Sequence, residues 1–140
     1  MSTHIIYWSA TGNTEAMANA LASSVKALGT DVKIYPVHEA AVADLEKATA
    51  IALGCPAMGA EVLEETEMEP FVESLKNFNW AGKKLALFGS YDWGDGEWMR
   101  NWETQMSDFG ATLVADGVMA HNAPDEGVLK TLEALAQKLV

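Results

Sequence analysis

Ser9, Thr11 and Thr14 place three hydroxyls within six residues, around Gly12 and beside Asn13, with no lysine or arginine anywhere between Trp8 and Glu15. Each hydroxyl can donate a proton, and the glycine lets backbone approach a ligand closely. The apolar run before this turn reads as a strand and the pattern after it as a helix. The helix start adds unpaired N–H groups and a positive partial charge. Together these suit one compact phosphate group. A nucleoside triphosphate usually receives a P-loop lysine as well, and GxxxxGK[ST] is absent. The chemistry expected here is a terminal monophosphate, held by dipoles rather than by a cation. The competing use of the same residues is plain capping of the helix by Asn13 or Thr14. Taken alone, the turn serves both equally.

Two further loops carry unusual residues. In Gly54–Glu61, Pro56 and Gly59 bend the path and put Met58 near the tip. A loop methionine is most often a packing residue, but its polarizable thioether also suits the face of an aromatic ring. Glu61 could accept a hydrogen bond from a ring imide. The stretch Gly89–Trp98 holds Tyr91, Trp93 and Trp98 among three glycines. Trp98 reads as a core residue near a helix start. Tyr91 and Trp93 are harder to bury in so short and polar a turn, which favours stacking on a ligand or partner. Cys55 reads as an inert thiol at a strand end. His4, His38 and His121 are scattered, so no metal site is expected.

Short apolar runs must position these loops. Thr3–Trp8, Asp31–Pro36, Thr49–Cys55, Lys84–Ser90 and Ala111–Ala120 read as five strands, the last uninterrupted. Near-continuous apolar runs bounded by glycine suit a parallel sheet covered on both faces. Between them, Met17, Leu21, Val25 and Leu28 recur at helical spacing, with Gly29 as a stop. Glu69–Asn77 reads as a helix with Pro70 in its first turn. Gly96–Phe109 carries a stripe of Met99, Trp102, Met106 and Phe109. Val128, Leu132, Leu135 and Leu139 mark a last helix, and Ala40–Lys47 a weaker one. Strands alternating with helices predict an α/β, doubly wound parallel sheet with right-handed crossovers. Ligands of such sheets sit beyond the carboxyl ends of the strands, where all three loops would fall.

The 140 residues predict one domain, residues 1–140, with no repeat, linker or low-complexity segment. No apolar run approaches the ~20 residues of a membrane helix, and the N-terminus lacks a basic, signal-like start. A single cysteine fits a reducing compartment, so a cytoplasmic location is expected. Nine basic against twenty acidic residues leave a formal charge of −11. That repels polyphosphate backbones and excludes nucleic-acid binding. Six acids lie between Glu61 and Glu73, and Asp92, Asp95 and Glu97 form a second cluster. Both adjoin glycine-bearing loops and offer a docking surface to a basic partner.

A phosphate cradle, a thioether and an indole on adjacent loops describe a phosphorylated planar ring. The motifs YWSATGNTEAMA, LGCPAMGAE and LFGSYDWGDGEWM, in that order, resemble the short-chain flavodoxins over essentially the whole chain. The resemblance implies strand order 2-1-3-4-5 with helices on both faces and FMN at the switch point. It implies that Ser9, Ala10, Thr11, Gly12, Asn13 and Thr14 hold the FMN phosphate. Cys55, Pro56, Ala57, Met58, Gly59, Ala60 and Glu61 would form the second wall, with Met58 against the flavin and Glu61 on its N3 proton. Ser90, Tyr91, Asp92, Trp93 and Gly94 would form the third, with Trp93 on the opposite flavin face.

The family function implied is a low-potential one-electron carrier, its FMN cycling between semiquinone and hydroquinone. Its partners would be redox proteins with basic docking faces, and it would act as a monomer, with neither nucleic acid nor membrane. The turn Met58–Glu61 would change on reduction, swinging the carbonyl after Gly59 toward flavin N5. The reduced turn resembles type II′ and the oxidised turn type II. Asp92 departs from a glycine found in many relatives, and its tolerance of positive φ would preserve the turn. An FMN-dependent reductase and a non-flavin module of the same topology are the alternatives. Unaided oxidation of NAD(P)H would mark the first, and failure to take up FMN the second.

Overall fold

The computed structural model describes residues 2–140. Five strands form the sheet: β1 (Ser2–Tyr7), β2 (Asp31–Pro36), β3 (Ala50–Gly54), β4 (Lys84–Tyr91) and β5 (Val118–His121). Their spatial order is β2-β1-β3-β4-β5, every neighbouring pair parallel. The expected doubly wound topology is therefore present. Helices α1 (Asn13–Ala27) and α5 (Glu126–Leu139) cover one face. The other is covered by α2 (Val42–Leu45), α3 (Met68–Glu73) and α4 (Glu97–Asp108).

Successive strand residues divide between the two cores because side chains alternate along a strand. Ile5, Ala52, Ala86 and Phe88 meet Met17, Leu21 and Leu132 on the first face. Ile6, Ile51, Leu53, Leu85 and Leu87 meet Met68, Trp98 and Trp102 on the second. The central strand β3 is buried along its whole length, which is why its run shows no polar alternation. Among the described residues no helix is long and apolar enough to cross a membrane.

The last strand differs from expectation. Leu113 pairs alone with Leu85, and regular pairing resumes only where Val118 meets Phe88. Three steps along β4 thus face five along the incoming chain, so the segment between must loop out. Gly117 N–H, at the end of that detour, donates to Glu103 Oε2 at 2.7 Å. The helix stripes also differ in detail. Leu28, at the end of the first stripe, is 45% exposed. Helix α3 stops at Glu73, and three-residue turns such as Leu75 N to Val72 O replace its expected last turn. The Ala40–Lys47 segment makes a single turn, with only Leu45 buried in it.

Glu64 belongs to this framework and not to the acidic surface in which the sequence placed it. It is 5% exposed. Its carboxylate accepts from the N–H groups of Thr66 (2.7 Å), Glu67 (2.8 Å) and Met68 (2.9 Å), and from the Thr66 hydroxyl. Burial pushes its pKa up, but the Thr66, Met68 and Glu67 hydrogen bonds outweigh that, and the net direction is down from 4.5. Glu64→Ala should cost about 3 kcal/mol in urea unfolding at neutral pH, because three N–H groups and a hydroxyl lose a charged acceptor. A depressed carboxylate pKa stabilises fully above its unfolded value and loses that contribution as pH falls through the folded one. The gap between parent and variant should therefore close in acid. A cost below 1 kcal/mol, or a gap indifferent to pH, would contradict the assignment.

Candidate functional site

The three loops that follow β1, β3 and β4 lie side by side at the carboxyl end of the sheet, as the topology requires. In the first loop Gly12 caps α1 at φ 95°, with open space where a Cβ would stand. No side chain of Asn13 or Thr14 caps the helix. Ser9 Oγ instead accepts from Gly12 N at 3.1 Å and Glu15 N at 3.3 Å. With two N–H groups on its oxygen, the Ser9 hydroxyl has its own proton left to give. Among the described residues the N–H groups of Thr11, Asn13 and Thr14 have no protein acceptor. A cluster of aligned donors without acceptors is what an oxyanion needs.

Thr14 is more constrained than its sequence position suggests. It is 1% exposed, and its Oγ1 sits 2.8 Å from Ser90 Oγ while accepting from Ser90 N at 3.3 Å. That pair consumes one hydroxyl proton and keeps one. It ties the start of α1 to β4 across 76 residues of sequence. On the other flank, Tyr7 donates to Glu15 Oε2 at 2.8 Å. Burial, then the Glu15 hydrogen bond, pushes the Tyr7 phenol up to about 12.

In the second loop, Met58 and Val62 exchange two backbone hydrogen bonds, of 2.9 and 3.0 Å. The turn therefore closes on Val62, one residue beyond the expected Met58–Glu61 unit. Positive φ falls on Gly59 (45°) and Glu61 (57°) and not on Ala60. A type II turn over Gly59 and Ala60 is thus absent. Glu61 Oε1 accepts from Gly96 N (3.3 Å) and Glu97 N (3.2 Å), closing the N-terminus of α4 and joining the second loop to the third. Gly94 permits this approach, since a Cβ there would lie 2.4 Å from that oxygen. Cys55 is buried, and burial raises its thiol to about 12, consistent with an inert role. Ala57 N reaches Ser90 O at 3.0 Å, so Pro56 and Ala57 run beside the end of β4.

The third loop divides its aromatic residues. Trp98 is buried and donates from Nε1 to Cys55 O at 3.1 Å. Tyr91, expected to be free for a ligand, packs at 5.7 Å from Trp98 and 5.1 Å from His121. Trp93 alone projects, 61% exposed. Asp92 does not occupy positive φ; Gly94 and Gly96 supply the reversal, both at 94°. Asp95 is paired with Arg100 at 3.1 Å, which offsets its charge, whereas among the described residues Asp92 and Glu97 have no such partner.

Thr14–Ser90 ties the first loop to the third, and Ala57–Ser90 and Glu61 tie the second to the third. The structure adds His121 beside Tyr91, whose signal was a lone histidine at a strand end. A cleft of about 620 Å³ borders the first loop, between Trp8, Thr11, Pro36 and His38. A larger depression of about 1260 Å³ follows the outer edge of β2 and is lined by no residue of the three loops. It has Lys26, Lys33 and Lys47 set against Asp31, Glu39 and Asp44, and is the uncovered margin of the sheet.

Comparison with known proteins agrees with this arrangement. Residues 5–134 match the family model described as Flavodoxin. The chain is 45% identical over 129 residues to a flavodoxin of Clostridium beijerinckii, covering 92% of this chain and 93% of that protein. It is 48% identical over 124 residues to a flavodoxin of Megasphaera elsdenii, covering 86% and 90%. The solution structure of two-electron reduced Megasphaera elsdenii flavodoxin superposes with a TM-score of 0.83 at 42% identity, covering 96% of this chain and 98% of that one.

Proposed function

The chain belongs to the flavodoxin family, and from that premise we propose how its own residues hold FMN and pass electrons. It is an FMN-dependent electron carrier and not an enzyme, and the comparisons do not favour the reductase or the non-flavin module. When bound, FMN supplies the chemistry of accepting and releasing electrons one at a time.

The observation that carries the assignment is the acceptor-free donor cluster at the start of α1. Ser9, Ala10, Thr11, Gly12, Asn13 and Thr14 would surround the phosphate with N–H and O–H groups, with the helix end supplying positive potential. Ser9 fits because both N–H groups on its oxygen orient its proton outward. The Thr14–Ser90 pair contributes one more proton and fixes the cradle to the sheet. Trp93, exposed on a glycine-rich turn, would cover one flavin face, and Met58 the other. Glu61 divides its carboxylate: Oε1 holds α4, and Oε2 is left for the ring imide. Cys55, Pro56, Ala57, Gly59, Ala60, Tyr91, Asp92 and Gly94 would supply the backbone that carries those groups.

Redox proteins are its partners. Exposed Glu65, Glu69, Asp92 and Glu97 around the loops favour partners with basic docking faces. Residues 1–140 work as one domain and as a monomer, in the cytoplasm, where a lone buried thiol is at home.

Stepwise reduction of the purified, FMN-loaded protein, followed by its visible spectrum, tests the function. One FMN per chain and two resolved one-electron steps are expected, with no oxidation of NAD(P)H unless a reductase is added. A single two-electron step, or rapid unaided NAD(P)H oxidation, would favour the reductase instead.

A further inference from the structure

We propose that His121 is a positioning residue for Trp93, the indole assigned above to one flavin face; the inference rests on that assignment. Trp93 is exposed, and among the described residues its ring has no hydrogen-bond partner. Its direction is therefore set by the peptide that precedes it. Two consecutive carbonyls at the base of the loop are held by two consecutive residues leaving β5. Asn122 N–H donates to Tyr91 O at 2.8 Å, and His121 Nε2–H donates to Asp92 O at 2.9 Å.

A carbonyl can only accept, so Nε2 carries the proton. The neutral ring then keeps its lone pair on Nδ1, and a protonated ring keeps the same Nε2 donor. The hold on Asp92 persists in either state. The imidazole also lies tilted at 40° against Tyr91, which lies at 48° against Trp98, so three rings from β5, β4 and α4 pack in sequence. Trp98 Nε1 in turn holds Cys55 O, at the root of the second loop. Asn122 has φ 63°, which turns the chain away immediately after the clasp. His121 thus fixes the last peptide before the indole from outside the loop, across 29 residues of sequence.

The variants His121→Phe and His121→Gln separate the donor from the ring. Phenylalanine keeps a ring against Tyr91 without the N–H; glutamine keeps an N–H donor without the ring. The rate of FMN release from each loaded protein is the first readout. Amide hydrogen exchange at Trp93 and Gly94 in the apoproteins is the second, and needs no flavin. Loss of one hydrogen bond to a loop carbonyl predicts release about tenfold faster in His121→Phe. Trp93 and Gly94 should exchange faster in the same protein, while core amides stay as in the parent. His121→Gln should return to within about twofold of the parent on both measures.

Parental release and exchange in His121→Phe would overturn the proposal. So would equal loosening in both variants, which would assign the effect to ring packing. Trp93→Ala runs alongside: parental FMN release there would remove the flavin-face assignment itself and the proposal with it. Faster release in Trp93→Ala with parental His121→Phe would reject His121 alone.

Discussion

Riboflavin is expected to bind the apoprotein at least about a hundredfold more weakly than FMN. The two differ only in the phosphate, so their ratio isolates the first loop. Its donors are arranged before any ligand arrives: Gly12 caps α1 in the left-handed region, and Ser9 oxygen already collects Gly12 N and Glu15 N. Hydrogen bonds to a charged acceptor contribute ~1.5–3 kcal/mol each, so two of them alone exceed a hundredfold. Riboflavin would leave the N–H groups of Thr11, Asn13 and Thr14 to water. It would still gain the stacking on Trp93 and Met58, which keeps its binding measurable. Titrating the apoprotein with each flavin, read by quenching of flavin fluorescence, gives both affinities. Equal affinities would reduce the loop to an ordinary helix start.

Gly59→Ala is expected to lower the first one-electron potential by roughly 40–90 mV. Gly59 stands at φ 45°, and nothing lies within 4 Å of the position its Cβ would take. The cost of alanine is therefore backbone strain alone, ~1–2 kcal/mol in the left-handed region. The family resemblance assigns positive φ at this position to the reduced turn, whose carbonyl meets the proton on flavin N5. Alanine thus penalises the reduced form more than an oxidised form that uses another turn. Ala60, which does not take up positive φ, gives the parent no easy route to the type II alternative. The Met58–Val62 hydrogen bonds frame the switching segment from outside and need not break. Spectroelectrochemical titration of the variant decides the matter. An unchanged first potential with uniformly weaker FMN binding would show that the turn does not switch.

The main features of the fold were open to reading from residue order because they depend on neighbours in sequence. Asp31–Pro36 begins and ends as its pattern indicates, bounded by a turn before and Pro36 within. Gly12 after a buried strand and before an amphipathic helix marks the phosphate loop, since both elements show their own periodicity. The three loops and their residue types followed from that, and the resemblance then supplied an identity for the ligand.

What residue order could not supply was decided by pairings between distant segments. The break before β5 arises because Phe88 and Leu85 on β4 set the register for Val118 and Leu113. Tyr91 and Trp93 are both aromatic residues in one polar turn, yet only Trp93 projects, because Trp98 and His121 arrive to enclose Tyr91. Glu61 and Glu64 stand three apart in one acidic run, and their fates diverge: one bridges to α4, the other is buried at the N-terminus of α3. Thr14 finds Ser90, and Asp92 finds His121, from opposite ends of the chain. Periodicity records which face of an element is apolar, a property of a few adjacent residues. A hydrogen bond between loops depends on where two elements come to rest, and that is set only when the whole sheet has packed.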